Sequence, residues 1–260
     1  MALPFSFIDD GDAPQLPVVF LHAFPYHSEM WVQQREALRG RARFIAFDAR
    51  GLGTRKEDTT AYMLEHTVDD LLALLDHLGI AKCVLVGLSM GGYAALRAVA
   101  RAPERVHALV LANTQAAADA DKGKLGRADG LRALHRDGAV AFVAAQLEKQ
   151  LSPRTRSMVP KVAERLTELT RSETEAGIAA ALVAIATRTD QVASLSEIRV
   201  PTMVIAGAED VVTPPALAEL LVDHIPNATL HVLAGAGHLS NLEAEEEFTR
   251  LLLAFVARLG

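Results

Sequence analysis

The sequence is poor in the residues that build disulfide frameworks and membrane spans. Its 260 residues include a single cysteine, Cys83, which cannot form an internal disulfide and lies in an apolar run, where a buried, inert thiol is expected. No segment reaches the ~18 consecutive apolar residues of a membrane span. Residues 1–12 combine three aspartates with no basic start, unlike a signal peptide. We therefore predict a cytoplasmic protein that is not associated with a membrane.

Basic patches and metal-binding motifs are also missing. The 26 lysines and arginines are scattered along the chain and outnumbered by 32 acidic residues, so nothing indicates a surface that binds nucleic acid. The sequence has no His-Glu-x-x-His segment and no paired cysteines, so neither a metal ion nor another cofactor is predicted. A dinucleotide fingerprint is incomplete, because Lys56 stands where its third glycine would fall.

The sequence does contain the alternation of strands and helices that is typical of an α/β protein. Half of its residues are hydrophobic and 22% are charged, an ordinary globular composition. Short apolar runs, typical of strands buried on both faces of a parallel sheet, cover residues 17–21, 43–48, 82–87, 107–112, 201–207 and 229–233. Residues 5–8 are a candidate antiparallel edge strand. Helical patterns cover residues 67–78, 91–100, 214–224 and 242–259. We predict a mostly parallel, doubly wound sheet with right-handed crossovers.

This alternation stops between residues 115 and 196. A polar stretch at 120–130 precedes three Ala- and Leu-rich helical patterns near 131–150, 154–170 and 173–187. None resembles a strand, so we predict a helical cap, inserted after the sixth strand, that lies over the carboxyl edge of the sheet. Residues 1–114 and 197–260 would then form the core and residues 115–196 the cap. A separate second domain is the alternative.

Residues 87–92, Gly-Leu-Ser-Met-Gly-Gly, have the pattern of a nucleophile elbow. They follow a predicted strand and open a predicted helix. In that context a serine is held in a strained turn, with small residues two positions before and after it. Ser89 is therefore the candidate nucleophile, and a plain glycine-rich turn is the alternative.

A serine nucleophile needs a base to take its proton and an acid to orient that base. His238 follows the last predicted strand and is preceded by Gly-Ala-Gly, while Asp210 follows the strand at 201–207. Both lie at carboxyl ends of strands, where they could meet Ser89. Glu209 competes with Asp210 for the acid role. The other eight histidines lie where structural or solvated roles are the default.

The oxyanion of an acyl-transfer intermediate needs two backbone N–H donors. One comes from the residue after the nucleophile, here Met90, and the other from a loop after an early strand. For the second donor we expect Phe24, in the His-Ala-Phe-Pro segment at residues 22–25. His22 is expected to be a loop histidine whose side chain is satisfied.

Taken together, these segments resemble the α/β-hydrolase superfamily, and within it the small esterases, 3-oxoadipate enol-lactonases and cofactor-free haloperoxidases. The matching segments, which span nearly the whole chain, are residues 22–25, 30–31, 48–53, 87–92, 207–215 and 235–238. The chain order of serine, aspartate and histidine is also that of this fold. The resemblance implies that Ser89 is the nucleophile, His238 the general base and then acid, and Asp210 its orienting carboxylate. It also implies that Phe24 and Met90 are the oxyanion donors.

The sequence departs from the family pattern at two positions. Ala23 stands where glycine is usual, and a methyl group there would strain the loop if its backbone had a positive φ. Thr54 stands where many relatives have serine. Residues 48–53 are expected to form a structural turn rather than a substrate site.

The function that we expect is hydrolysis of a small or medium carboxylic ester or lactone through an acyl-enzyme. Its partners would be a small-molecule substrate and water, and the candidate pocket residues are Leu88, Trp31, Phe142 and Leu239. No oligomeric state is predicted. The same triad could run perhydrolysis, as in a cofactor-free haloperoxidase, or hydrolysis of a carbon–carbon bond. From a different class, the chain could be a non-catalytic ligand-binding protein with this fold.

Overall fold

The structure, a computed structural model, describes residues 3–11, 15–59 and 63–259. Its strands are β1 (Phe7–Asp10), β2 (Pro17–Leu21), β3 (Arg43–Phe47), β4 (Cys83–Leu88), β5 (Val106–Ala112), β6 (Thr202–Gly207) and β7 (Ala228–Leu233). They form one sheet in the order β1-β3-β2-β4-β5-β6-β7, in which β1 pairs antiparallel to β3 and the other pairs are parallel. The predicted mostly parallel sheet is confirmed. Its antiparallel edge strand lies two residues later than the predicted run.

The strand order brings particular loops together. β3 lies on one side of β2 and β4 on the other, so the direction in which the chain crosses the sheet reverses between them. In open α/β sheets the carboxyl ends of strands at such a reversal form the crevice in which ligands bind. The parallel register pairs Leu21 of β2 with Gly87 of β4, so the loops that follow these strands are neighbours.

The interior strands are buried, whereas the strand at the far edge is not. Every residue of β4 is buried, because β2 and β5 cover its two edges and helices pack on it. Burial raises the pKa of the Cys83 thiol to about 12, which keeps it protonated and inert. In β7, at the edge, Val232 is 47% exposed.

Helices follow most of the strands. The described helices are α1 (Val32–Leu38), α2 (Leu64–His77), α3 (Met90–Arg101), α4 (Asp121–Gln150), α5 (Pro153–Met158), α6 (Pro160–Thr170), α7 (Glu175–Ala186), α8 (Pro215–His224), α9 (Ser240–Glu243) and α10 (Glu245–Ala257). The sequence patterns missed α1, and the predicted helix at 242–259 is divided at Ala244. Within the described ranges, no helix is both long enough and apolar enough to cross a bilayer.

The segment between β5 and β6 is helical, as predicted, and differs from the prediction in detail. The helical segment follows β5, the fifth strand of the described chain, whereas the prediction placed it after the sixth strand. The polar stretch at 120–130 is the beginning of α4, which bends at Gly138, where φ is +80°. The predicted helix at 154–170 is two helices, because Pro160 lacks the N–H that would continue α5 into α6. The boundaries of a separate cap at 115 and 196 stay a prediction.

A buried arginine joins the two ends of this helical segment. Arg188 donates to the Asp119 carboxylate at 2.8 Å and to the Ala117 carbonyl at 2.7 Å. Its guanidinium also lies over the ring of Tyr93, 4.3 Å from the centroid. Because Tyr93 belongs to α3, the helix that follows Ser89, the ends of the segment are fixed to the helix of the candidate nucleophile.

The middle of the helical segment contacts the turn after β3. The Glu173 carboxylate accepts the Gly53 N–H at 2.9 Å, and burial raises the pKa of Glu173 to about 7. Gly177 of α7 packs directly on the Gly51 carbonyl, where a Cβ atom would overlap the oxygen. This contact therefore requires a glycine at position 177.

We predict that Gly177→Ala destabilises the protein, because its methyl group would push α7 away from the Gly51 carbonyl. Overpacking of this kind costs about 1–3 kcal/mol. Gly126→Ala in α4 is the control: its Cβ would meet no atom within 4 Å, and replacing an exposed helical glycine should stabilise by about 0.5–1 kcal/mol. Urea unfolding measures both changes. Equal stability of the two variants would contradict the close contact.

Candidate active site

Ser89 lies in a strained turn between β4 and α3. Its φ is +53° and ψ is −112°, a conformation that side-chain-bearing residues rarely adopt. The helix after it comes so close to the sheet that a Cβ on Gly91 would overlap the Leu21 carbonyl, and one on Gly87 would overlap the carbonyl of Gly91. The two glycines of the predicted elbow are therefore required by packing, as the motif demands.

Neighbouring strands hold the backbone of this turn. The Ser89 N–H donates to the Ala112 carbonyl at the end of β5, at 3.0 Å. The Thr114 hydroxyl donates to the Ser89 carbonyl at 2.9 Å. The Ser89 hydroxyl makes no hydrogen bond with any residue in the described ranges, and Ser89 keeps 8% of its surface exposed. The backbone of Ser89 is therefore fixed by hydrogen bonds, while its hydroxyl has no hydrogen-bond partner in the described ranges.

Asp210 is surrounded by hydrogen-bond donors. One carboxylate oxygen accepts the backbone N–H groups of Val212 and Thr213 at 2.8 and 2.9 Å. The other accepts the Thr213 hydroxyl at 2.7 Å, the Asn113 amide at 2.8 Å and His238 Nδ1 at 2.8 Å. Burial raises the pKa of Asp210, but the bonds from His238, Asn113 and Thr213 outweigh burial and hold that pKa below its ordinary value. The group is therefore an ionised, acceptor-only carboxylate.

His238 is oriented by Asp210 rather than by the competing Glu209. The imidazole is buried, with Nδ1 bonded to Asp210, while Glu209 is exposed. When Nδ1 carries the proton that is donated to the carboxylate, Nε2 is left as the basic nitrogen. The competition between the two acidic residues is therefore decided by position.

The two amides predicted to stabilise an oxyanion are unpaired. Neither the Phe24 nor the Met90 N–H donates to an acceptor in the described part of the chain. The expected strain at Ala23 does not occur, because its φ is not positive. The side chain of His22 is satisfied, as expected: Nε2 accepts the Ala49 N–H at 2.9 Å, and Nδ1 lies 3.0 Å from the Ala23 carbonyl.

The four candidate pocket residues differ in what they contact and in where they lie relative to the site. Phe142 of α4 meets the ring of Phe24 edge-on, with centroids 6.3 Å apart, so it lies beside the loop of the expected oxyanion donor. Leu88 and Leu239, the neighbours of Ser89 and His238, are fully buried. Their role in a pocket stays a prediction.

Trp31 is the pocket prediction that the structure contradicts. Its ring lies in the hydrophobic core, 5.1 Å from the ring of Phe20 and 6.0 Å from that of Phe248, with no exposed surface. The loop after β2 leads into the short helical turn that holds Trp31, and that turn inserts the indole between β2 and α10. Trp31 is a core residue.

Two residues that bond Asp210, Asn113 and Thr213, were not predicted from the sequence. Asn113 follows β5 directly with φ +44°, and its amide also donates to the Gly237 carbonyl at 3.1 Å. A polar residue at the end of a buried strand, beside the strand ends that carry Ser89 and Asp210, was an available signal.

The expected structural turn at 48–53 holds together through Asp48, which accepts the Ser28 and Thr54 N–H groups.

We predict that Asp210→Asn lowers the free energy of unfolding at pH 7, because a neutral amide cannot accept all of these donors. A carboxyl group whose pKa is lower in the folded state stabilises the fold above its ordinary pKa of 3.8. That contribution is lost as the pH falls through the folded-state value. In urea titrations, the difference in unfolding free energy between wild type and variant should therefore become smaller as the pH falls below 3.8.

Glu209→Gln, at the exposed neighbour, is the matched control and should leave the unfolding free energy unchanged at pH 7 and at pH 3. A difference for Asp210→Asn that is the same at pH 7 and at pH 3 would mean that the ionised carboxylate contributes nothing.

Comparisons with known proteins identify the fold family. A family model for the alpha/beta hydrolase fold matches residues 17–245. The 3-oxoadipate enol-lactonase 2 of Acinetobacter baylyi is 29% identical over 262 residues, covering 99% of this chain and 94% of that protein. A thermophilic esterase from Thermogutta terrifontis is 32% identical with a TM-score of 0.92, covering 99% of this chain and 96% of that one. The enol-lactonase from Burkholderia xenovorans LB400 is 27% identical with a TM-score of 0.89, covering 97% and 96%. The predicted fold and the resemblance to this group are confirmed.

Proposed function

The chain belongs to the α/β-hydrolase family, and from that premise we propose that it hydrolyses small or medium carboxylic esters or lactones by serine catalysis. Its relatives include an enol-lactonase and an esterase, which supports the reaction class. The substrate would be a small molecule and the second reactant water. The cytoplasmic location stays a prediction.

In the proposed mechanism, His238 Nε2 takes the hydroxyl proton of Ser89 as Ser89 Oγ attacks the acyl carbon. The oxyanion of the tetrahedral intermediate accepts hydrogen bonds from the Phe24 and Met90 amides. The intermediate collapses as His238 passes the proton to the leaving alcohol, which leaves an acyl-enzyme. Water, deprotonated by His238, then attacks the acyl carbon. The bond from that carbon to Ser89 Oγ breaks as His238 returns the proton to Oγ, and the carboxylic acid leaves. With a lactone the leaving alcohol stays attached to the acyl group, so one product results.

The observation that carries this proposal is the buried 2.8 Å hydrogen bond between Asp210 and His238, at the sheet edge that also carries Ser89. An ionised carboxylate on Nδ1 orients the imidazole and stabilises the cation that forms when Nε2 takes a proton. The strained turn between β4 and α3 that holds Ser89 supports its role as the nucleophile. The unpaired amides of Phe24 and Met90 support an oxyanion site, whose hydrogen bonds typically contribute about 3 kcal/mol each.

Two features support a preference for small or medium esters and lactones: the identity of the relatives, and an aromatic side chain beside the loop that contains Phe24. The similar proteins include an esterase and two enol-lactonases. The ring of Phe142 packs edge-on against the ring of Phe24, in the loop of the expected oxyanion donor. A rigid aromatic side chain at that place would limit the length of the acyl group. Perhydrolysis and carbon–carbon bond hydrolysis on the same triad stay predictions.

We predict that Ser89→Ala abolishes the hydrolysis of p-nitrophenyl acetate and of an enol-lactone. Loss of a serine nucleophile typically lowers kcat by about 10⁶, so only the rate without enzyme should remain. Ser157→Ala, at an exposed serine in α5, is the matched control and should keep full activity. A wild-type protein that hydrolyses neither substrate would favour the non-catalytic binder. A Ser89→Ala variant as active as wild type would exclude Ser89 as the nucleophile.

We predict that Phe142→Leu widens the range of acyl lengths. The ratio of kcat/KM for p-nitrophenyl octanoate to that for the acetate should rise about tenfold, since a change of one or two methylene groups in a pocket has about this effect. Val140→Ala, in the same helix and 77% exposed, is the control and should leave the ratio as in wild type. An unchanged ratio in Phe142→Leu would show that Phe142 does not border the acyl group.

A further inference from the structure

Gln150, the last residue of α4, lies between two loops that are far apart in sequence. It is 4% exposed. Its side-chain Nε2 donates to the Phe24 carbonyl at 3.2 Å, and its Oε1 accepts the Tyr26 hydroxyl at 2.5 Å. Its backbone carbonyl accepts the His238 N–H at 2.7 Å. One residue of the helical segment thus binds both the loop after β2 and the loop after β7.

The side chain of Gln150 orients the loop after β2 as a unit. That loop is closed on itself, because the Tyr26 N–H donates to the Ala23 carbonyl at 2.9 Å. Burial raises the pKa of Tyr26 well above its ordinary value, so its hydroxyl stays a donor. The Phe24 N–H shares a planar peptide group with the Ala23 carbonyl, so the bond from the Tyr26 N–H to that carbonyl sets its direction. Gln150 holds both sides of this turn, through Phe24 O and Tyr26 Oη.

The backbone around Gln150 is fixed to the loop after β7 by a second set of contacts. The Glu243 carboxylate accepts the Ser152 N–H at 2.8 Å and the Leu239 N–H at 3.0 Å. The Ser152 hydroxyl donates to the Gly235 carbonyl at 2.9 Å. The junction between α4 and α5 is therefore a stable support on the histidine side, from which the Gln150 side chain reaches the other loop.

We propose that Gln150 is a positioning residue that sets the Phe24 amide at the distance from His238 that the transition state requires. This inference rests on the proposed function. Gln150 would touch no substrate and would act through its bonds to Phe24, Tyr26 and His238. The helical segment would then contribute to the rate of the reaction as well as cover the sheet edge.

Gln150→Met tests the role of the side chain, because it removes both side-chain hydrogen bonds and keeps the backbone bond to His238. Oxyanion stabilisation acts mainly in the transition state, so kcat should fall while KM changes little. Since loss of a whole donor lowers kcat about 10²–10³-fold, displacement of one should lower it about 10–100-fold. Affinity for an aryl boronic acid, which forms a tetrahedral anion on the serine, should fall by the same factor. A merely structural role would lower Tm without changing boronate affinity.

Two further variants complete the test. Glu148→Met places the same side chain at a 76% exposed position of the same helical turn and should leave kcat and boronate affinity unchanged. Tyr26→Phe removes one of the two side-chain bonds, should lower kcat about three- to tenfold, and decides the question if Gln150→Met does not fold. Wild-type kcat and boronate affinity in folded Gln150→Met, or in Tyr26→Phe if the former does not fold, would overturn the positioning role alone. An inactive wild type would overturn the proposed function as well.

Discussion

The parallel pairing of β2, β4, β5, β6 and β7 is the constraint on which the candidate site depends. Parallel neighbours end at the same edge of a sheet, so the loops that follow them must lie side by side. Ser89 follows β4, Asn113 follows β5, Asp210 follows β6 and His238 follows β7, in the spatial order of the strands. Residues up to 149 positions apart along the chain are thereby placed at one edge of the sheet without any element dedicated to the task.

The close approach of backbone groups is the second requirement. Gly91 allows α3 to lie against the Leu21 carbonyl, and Gly177 allows α7 to lie against Gly51. The first contact sets the elbow at Ser89, and the second seats the helical segment over the turn after β3. Both contacts require glycine, because a Cβ atom at either position would overlap a backbone carbonyl oxygen.

The parallel sheet, the turn at Ser89 and the contact between Asp210 and His238 could be predicted because their signals are local. A strand, a turn and a helix around Ser89 occupy a few adjacent residues, and Asp210 and His238 each follow an apolar run directly. Trp31 was misplaced because its environment comes from β2 and α10, which no local pattern connects. The contacts of Gln150 could not be predicted for the same reason, since its partners lie more than 80 residues away on either side. The polar beginning of α4 was missed because an exposed helical turn has no apolar face to mark it.

Mapping of a fluorophosphonate adduct by mass spectrometry shows whether the imidazole of His238 activates Ser89 as a nucleophile. Tryptic cleavage after Lys82 and Arg97 gives a peptide, residues 83–97, in which Ser89 is the only serine. The wild-type protein should carry one adduct on this peptide, and His238→Ala should carry none under the same conditions. An adduct on a different serine, or equal labelling of the two proteins at Ser89, would contradict the account.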